Sequence, residues 1–270
     1  MESLSQTTES HSPLQTPGDT KRSLSVAEIA SQLASELLTY NLSLSDMQLK
    51  QVASHLQLML AKNERVNLTS IRDQRDALVL HSLDSLLFAK VISNHLDLCD
   101  PSMAGLDMGT GGGFPGIALA CVSDLQMTLL DSVGKKVSAC QEFVDILGID
   151  NQVSCVHSRL EDFALEQYES FDFVTARALA SLDILLEYGA PFVPQGGYFF
   201  FGKANPTKEE LAASKKVAKM LGIILVSRET FELPNEYGHR EIFVYQKVNP
   251  SRIKLPRKNG EARKNPLAQR

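Results

Sequence analysis

Apolar residues recur at every third or fourth position in the first third of the chain, which is the spacing of helices that bury one face. A first helix begins near Val26. Its apolar stripe comprises Ile29, Leu33, Leu37 and Leu38. A second helix opens at Ser45 and Gln48, which have the spacing of a capping box. Its stripe comprises Leu49, Val52, Leu56, Met59 and Leu60. A third helical stretch covers 73–93, so the pattern predicts an all-helical subdomain over 26–97.

Beyond this subdomain, short apolar runs alternate with helical segments. The predicted strands are 104–108, 127–130, 153–156, 171–175 and 197–201. The predicted helices between them are 115–122, 134–147, 182–190 and 207–221. This alternation is typical of an α/β domain, in which a mostly parallel sheet carries helices on both faces. Two final runs, 223–231 and 241–247, have no helix between them and predict a terminal antiparallel hairpin. The predicted α/β domain spans 98–248.

The two ends of the chain differ from this pattern. Residues 1–25 are rich in Ser, Thr, Gln and Pro without an apolar period, so we expect a disordered leader there. The net charge is −5, but 247–270 holds eight Lys and Arg against one acid, a net +7. The remaining chain carries 19 basic and 31 acidic residues, a net −12. A basic tail over 249–270 can therefore bind a polyanion although the body is acidic.

Composition also narrows the class of protein. No apolar run approaches the roughly 18 residues that cross a bilayer, and the start lacks the hydrophobic stretch of a signal peptide. The four cysteines form no CxxC pair. Cys155 and His157 together supply only two ligands, which is too few for a metal site. We expect a cytoplasmic protein with neither a bound metal nor a membrane partner. We also expect a monomer, because no apolar stripe lacks a partner.

The first predicted strand runs into a glycine-rich turn, DMGTGGGFPG, which a helix follows. Glycines allow close approach of the backbone to a ligand, and the helix start offers free N–H groups. Gly109, Gly111 and Gly113 form GxGxG, common in methyl-donor sites. Gly111, Gly113 and Gly116 form GxGxxG, the dinucleotide fingerprint. Asp131 ends the second strand and can hold ribose hydroxyls in either case. The turn alone leaves open a methyl donor, a dinucleotide or no ligand.

Three neighbouring features favour the methyl donor S-adenosyl-L-methionine. Strand, turn, helix, strand and acid follow one another in the order that a nucleotide site requires. The terminal hairpin fits the seven-stranded sheet of class I, Rossmann-like methyltransferases better than the six parallel strands of a dinucleotide domain. Glu161 and Asp162 follow the third strand, where methyltransferases usually contact adenine. An NAD-dependent oxidoreductase and a donor-binding module without catalysis remain the alternatives.

Six sequence blocks between residues 67 and 182 carry a resemblance to a known family. They are NLTSIRD at 67–73, HSLDS at 81–85, DMGTGGGFPGIAL at 107–119, LLDSVGKKV at 129–137, RLEDF at 159–163 and ARALASL at 176–182. Together, and with the final RKNGEARKNPL, they resemble the RsmG family, also called GidB. Its members are bacterial guanine-N7 methyltransferases of 16S ribosomal RNA. Two positions depart from that family: Leu80, where arginine commonly precedes the histidine matched by His81, and Ala204, where glycine usually follows Lys203.

The resemblance and the glycine pattern together imply a set of donor-site residues. They are Gly109, Gly111, Gly113, Phe114, Asp131, Leu160, Glu161 and Arg177. The resemblance implies that Asp131 lies near the ribose of the donor and that Leu160 and Glu161 flank its adenine. It also implies that small-subunit ribosomal RNA, free or assembled into the subunit, is the partner.

Guanine N7 is a hydrogen-bond acceptor without a proton, so it can attack the sulfonium methyl group directly. We therefore predict no general base. His81, Asp84 and Arg177 are the candidates for the acceptor side, although His81 and Asp84 are as well explained by a capped or surface pair. The candidate RNA-binding cations are Lys135, Lys136, Lys203, Arg252, Lys254, Arg257, Lys258, Arg263 and Lys264.

Overall fold

The computed structural model describes residues 23–270, and its first part is helical. The helices are α1 (Val26–Leu38), α2 (Asp46–Asn63), α3 (Gln74–Ala77) and α4 (Asp84–Ile92). Ser25 and Ser45 start α1 and α2 with capping boxes, each of which contributes about 1 kcal/mol. The leader predicted over 1–25 lies outside the described residues, except for its last three positions.

A π-helical turn, Leu78–Leu83, joins α3 to α4. The apolar pattern predicts a helical stretch over 73–93, and the chain is helical from Gln74 to Ile92, with this π-helical turn inside the stretch. Short π-helical segments have no sequence signature of their own, and they occur frequently at functional sites. This turn carries Leu80 and His81, which contact the candidate site described below.

Within residues 23–270, seven strands form a single sheet. They are β1 (Ala104–Met108), β2 (Gln126–Asp131), β3 (Val153–His157), β4 (Phe173–Arg177), β5 (Tyr198–Lys203), β6 (Ile223–Leu233) and β7 (Gly238–Lys247). Their order is β3-β2-β1-β4-β5-β7-β6. The first five strands pair in parallel, and β7 runs antiparallel to both β5 and β6. The mostly parallel sheet with a terminal antiparallel hairpin is thus confirmed.

Five helices connect these strands. They are α5 (Gly116–Ala120), α6 (Gly134–Leu147), α7 (Leu160–Glu166), α8 (Leu182–Gly189) and α9 (Lys208–Leu221). Helix α6 has the predicted bounds, because Gly148 ends it in the left-handed conformation. Helix α7 was not predicted, since its seven residues carry too short an apolar pattern. Strand β4 extends beyond the predicted end because Ala176 and Arg177 pair with β5.

The sheet buries apolar side chains on both faces, as alternation along a strand requires. Phe199 and Phe201 belong to a core that includes residues of α8 and α9. Phe200 belongs to the opposite core, with residues of the amino-terminal helices, α5 and α6. All three rings are fully buried, and each such side chain contributes about 1.5–3 kcal/mol.

The strand order reverses between β1 and β4, which are neighbours although β2 and β3 separate them in the chain. Open α/β sheets bind ligands outside the carboxyl ends of the strands at such a point. The glycine-rich turn follows β1 and Arg177 ends β4. Both therefore lie at the crevice where a ligand is expected.

The basic tail packs against the body of the protein. It contains α10 (Glu261–Lys264) and a short 3-10 helix, Leu267–Gln269. Ala262 and Leu267 are buried in the core that includes residues of α8 and α9. The tail therefore follows a defined path across the α/β domain.

The edge strand β6 exposes three consecutive apolar residues, Ile224, Leu225 and Val226. The expectation of a monomer assumed that no apolar stripe lacks a partner, and this strand does not support that assumption. The monomeric state stays a prediction. Over residues 23–270, no helix has the length and apolar character needed to cross a membrane.

Candidate active site

The glycine-rich turn is anchored on both sides of β1. The Gly109 N–H donates to the Leu130 carbonyl of β2 at 2.8 Å. Asp107 accepts the Gly116 N–H at 3.0 Å and the Thr175 hydroxyl at 2.9 Å. Burial raises the pKa of Asp107, whereas its hydrogen bonds lower it. Asp107 is thus committed to fixing the turn between β1 and α5.

Positive φ angles occur at Gly109, Gly111 and Gly113, at +70°, +60° and +90°. L side chains rarely adopt this region. A Cβ at Gly109 would lie 2.7 Å from Leu179 Cδ1, and one at Gly113 would lie 2.5 Å from Ile117 Cδ1. At Gly111 the nearest atom is the Gly109 carbonyl oxygen, at 3.9 Å. The turn therefore has open space above Gly111 and close packing at the other two glycines.

The carboxylate of Asp131 lies next to that open space. Its Oδ2 accepts the Gly111 N–H at 3.1 Å, and its Oδ1 accepts the Val133 N–H at 2.9 Å. A carboxylate offers about four lone-pair sites, so each oxygen can accept one further hydrogen bond. Asp131 therefore combines a fixed orientation with unused acceptor capacity, which suits the binding of ligand hydroxyl groups.

Arg177 is held at the end of β4 by the π-helical turn and by α4. Its Nη1 donates to the Leu80 carbonyl at 2.7 Å and to Asp84 Oδ2 at 2.9 Å. Its Nη2 donates to His81 Nδ1 at 3.1 Å. The guanidinium carbon lies 5.6 Å from the centre of the Phe114 ring, within the range of a cation–π contact. These contacts bring together all three acceptor-side candidates.

Asp84 lies between two arginines. Besides Arg177, it pairs with Arg240, whose Nε is 3.4 Å from Asp84 Oδ1. The Asp84 side chain is only 8% exposed. Its carboxylate therefore fixes the position of Arg177 and has little surface for contact with an acceptor. The sequence did not single out Arg240, because the hairpin that carries it lies far from α4 along the chain.

His81 uses both ring nitrogens. Because Nδ1 faces the Arg177 donor, Nε2 carries the proton and donates to the Thr69 hydroxyl oxygen at 2.9 Å. Burial, together with the positive charge of Arg177, lowers the pKa of His81 to about 3. His81 is therefore neutral near pH 7 and has no free nitrogen for a proton, so it positions Arg177.

Phe114 is enclosed by two histidine rings. The His81 ring stacks on it at 5.0 Å between centres, and the His55 ring lies at 4.3 Å. His55 Nε2 donates to the Gly112 carbonyl at 2.9 Å, and burial lowers the pKa of His55 to about 4. Phe114 and the two histidine rings therefore pack against the glycine-rich turn. Sequence reasoning missed His55, although a lone polar residue on the apolar stripe of α2 is a usable signal.

The acidic pair after β3, Glu161 and Asp162, accepts hydrogen bonds from the basic tail. Leu160 and Glu161 begin α7. Glu161 Oε1 accepts the Gly260 N–H at 2.8 Å, and Asp162 accepts the Asn259 side-chain amide. The tail thus lies directly beside the residues that were predicted to flank the adenine.

The candidate RNA-binding cations fall into two groups. Lys203 and Arg257 are already paired within the protein, with Glu210 at 2.8 Å and Glu187 at 2.6 Å. Each of these charges is therefore partly offset by an acidic partner within the protein, and phosphate contact stays a prediction for both. The remaining candidates are exposed or half-buried. They are Lys135, Lys136, Arg252, Lys254, Lys258, Arg263 and Lys264. RNA contact stays a prediction for these seven.

A family model described as GidB, rRNA small subunit methyltransferase G, matches residues 48–239. The chain belongs to the GidB family. The ribosomal RNA small subunit methyltransferase G of Staphylococcus aureus (strain Newman) is 35% identical over 240 residues, covering 88% of this chain and 98% of that protein. The protein of the same name from Acholeplasma laidlawii (strain PG-8A) is 36% identical over 209 residues, covering 76% and 87%. The resemblance seen in the sequence blocks is confirmed.

Solved structures share the fold of this GidB-family chain. A putative O-methyltransferase from Klebsiella pneumoniae gives a TM-score of 0.52 at 14% identity, covering 82% of this chain and 100% of that one. An O-methyltransferase from Bacillus cereus gives 0.51 at 14% identity, covering 81% and 99%. At this identity they show the class I, Rossmann-like methyltransferase fold alone. Membership in the GidB family favours a methyltransferase over the NAD-dependent oxidoreductase.

Proposed function

We propose that this protein transfers a methyl group from S-adenosyl-L-methionine to N7 of a guanine in 16S, small-subunit ribosomal RNA, in the cytoplasm. The observation that carries the proposal is the open glycine-rich turn with Asp131 beside it at the switch point of the sheet. In a chain of the GidB family, this is the position at which a methyl donor is expected.

The residues around the turn fit a nucleoside donor. The backbone at Gly111 leaves open space, and both oxygens of Asp131 can accept further hydrogen bonds, as ribose hydroxyls would require. We propose that Leu160 and Glu161 flank the adenine and that Gly109 lines the methionine side. The donor supplies an electrophilic methyl group on a positively charged sulfur. This chain binds and orients that group.

Guanine N7 suits a site whose candidate bases are already engaged. N7 carries a lone pair and no proton, so its attack on a methyl group requires no base. His81 is neutral with both nitrogens bonded, and Asp84 is held by two arginines. An acceptor such as a hydroxyl would need a group placed to take its proton. This difference supports direct in-line attack by N7.

Arg177 is the acceptor-side residue with hydrogen-bonding capacity to spare. A guanidinium has five N–H groups, and the bonds to Leu80, Asp84 and His81 engage three of them. Its side chain is 14% exposed at the crevice. We propose that a remaining N–H binds guanine O6 and aligns N7 with the methyl group. Such alignment lowers the activation free energy by several kcal/mol, on the order of 10 at most.

The donor test separates this proposal from an oxidoreductase. S-adenosylhomocysteine is expected to raise the melting temperature, and NADH is expected to leave it unchanged. Asp131→Asn should weaken S-adenosylhomocysteine binding at least about tenfold, because one carboxylate acceptor is lost from the site. Asp150→Asn is the matched control, since Asp150 is exposed in the turn before β3. Stabilisation by NADH alone would contradict the proposal.

The acceptor test uses donor labelled on its methyl group. The protein is incubated with naked 16S RNA, isolated small subunits or whole ribosomes, and incorporation into RNA is counted. We expect label in at least one of the three substrates. At a donor concentration below the wild-type Kd, incorporation should be strongly reduced in Asp131→Asn and unchanged in Asp150→Asn. Donor binding without incorporation into any of them would identify a binding module in place of an enzyme.

A further inference from the structure

The segment 257–264 of the basic tail, termed here the strap, is fixed firmly to the α/β domain. Arg257 donates from Nε and Nη2 to the two oxygens of Glu187 on α8, at 2.7 and 2.6 Å. These side chains are only 7% and 5% exposed. A bidentate, buried pair of this kind is specific in its geometry. Ala262 adds a buried apolar contact, so the strap has one defined position.

From this anchor the strap reaches the start of α7 and the loop after β4, which border the proposed donor site. The Gly260 N–H and the Asn259 amide bond the carboxylates of Glu161 and Asp162. Arg263 Nη2 donates to the Leu179 carbonyl at 3.0 Å. The Leu179 side chain in turn packs over Gly109, where a Cβ would lie 2.7 Å from it. The strap thus holds both the proposed adenine side and the loop that covers the first glycine.

The same eight residues present positive charge to solvent. Lys258, Arg263 and Lys264 are exposed, whereas the Arg257 charge is turned inward to Glu187. Exposed Lys and Arg side chains bind nucleic-acid phosphates and contribute most of the salt-dependent affinity. One side of the strap is therefore hydrogen-bonded to residues that border the proposed donor site, and its other side carries exposed positive charge that can bind RNA phosphates.

We propose that the strap couples the two substrates, so that RNA held by its exposed cations strengthens donor binding through the Asn259, Gly260 and Arg263 contacts. This inference rests on the proposed function. Phosphates that bind the strap in this docked position favour it over any position in which the Asn259, Gly260 and Arg263 contacts are broken. The docked strap in turn holds Glu161 and Leu179 in the donor-binding arrangement. Linkage then requires that donor and RNA tighten each other by the same factor.

The test compares S-adenosylhomocysteine affinity with and without saturating isolated small subunits. For the wild-type protein we expect subunits to tighten binding about tenfold, a typical coupling. Asn259→Ala removes the bond to Asp162 but keeps every cation of the strap, so it should bind subunits normally without donor. Its coupling factor should fall below about threefold. Asn259→Asp places two carboxylates together and should reduce the coupling further, more so at low salt.

The matched control is Asn151→Ala, an exposed asparagine in the turn between α6 and β3. It should keep the wild-type coupling. Equal coupling in wild type, Asn259→Ala and Asn259→Asp would overturn the inference, as would wild-type donor affinity that subunits leave unchanged. A wild-type protein that methylates RNA without coupling would overturn the inference alone. A protein that binds no S-adenosylhomocysteine would overturn the proposed function.

Discussion

Replacing glycines of the turn one at a time distinguishes a ligand-binding position from a packing position. Gly111 and Gly113 both have positive φ, and alanine in the left-handed region costs about 1–2 kcal/mol. Part of this is offset, because alanine lowers the entropy of the unfolded chain by about 0.4–1 kcal/mol. Gly111→Ala meets nothing closer than 3.9 Å, so we expect a net destabilisation of about 1 kcal/mol.

Gly113→Ala carries the same backbone strain and a steric clash. Its Cβ would lie 2.5 Å from Ile117 Cδ1 and 2.9 Å from His55 Nε2, both fully buried. Overpacking of this kind costs typically about 1–3 kcal/mol more. We therefore expect Gly113→Ala to lose about 3 kcal/mol of unfolding free energy, measured by urea denaturation.

Gly111→Ala should lose little unfolding free energy but much of its affinity for the ligand. The alanine methyl group would occupy the open space, so Gly111→Ala should bind S-adenosylhomocysteine at least about tenfold more weakly, by titration calorimetry. Gly148→Ala is the control, because Gly148 has φ +66° and no atom within 4 Å of its Cβ position. It should lose similar stability and keep its affinity. Wild-type affinity in Gly111→Ala would refute the placement of the donor.

Three further predictions concern buried polar groups, and one concerns the chemistry of the acceptor. Asp84→Asn should lower kcat about tenfold without changing S-adenosylhomocysteine affinity, because it loosens the arginine beside it. The unfolding free energy should fall as pH drops from about 6.5 towards 4: the lowered pKa values of His55 and His81, about 4 and 3, mean that the unfolded chain binds more protons. By pH 5 each histidine should contribute roughly 2 kcal/mol of this loss; urea titrations across pH test this, and a flat profile contradicts it. The kcat of methyl transfer should instead stay constant from pH 6 to about 8.5, because N7 carries no proton; a bell-shaped profile would indicate a general base. Glu187→Ala should lower the unfolding free energy by about 3 kcal/mol, the lower end for a broken buried pair, since Arg257 would stay buried with Glu261, at 3.1 Å, as its remaining acidic partner; a loss under about 1 kcal/mol would contradict the buried pair.

Features set by neighbouring residues could be predicted from the sequence. The periodic apolar pattern and Gly148 define α6, and the short apolar run before the glycine-rich turn defines β1. The turn itself follows from Gly109, Gly111 and Gly113, which take the positive φ angles that other residues avoid. Asp131 reaches the turn because parallel pairing brings the carboxyl ends of β1 and β2 together.

Features set by distant residues could not be predicted in this way. Arg177 bonds Leu80 across 97 positions, and Arg257 bonds Glu187 across 70. No local spacing indicates such pairs. The basic tail illustrates the consequence: its composition predicts a polyanion contact for Arg257 as for the neighbouring cations, but gives no sign that the Arg257 side chain is buried and paired with Glu187.

The most direct test of the central claim is to locate the transferred methyl group. Small subunits from cells that lack this protein are incubated with it and labelled donor. The extracted RNA is then treated with borohydride and aniline, which cleave the chain at N7-methylguanine. The account predicts cleavage at a guanine that coincides with the label and depends on the protein. Label on another base, on another atom of guanine, or in no part of the 16S RNA would contradict it.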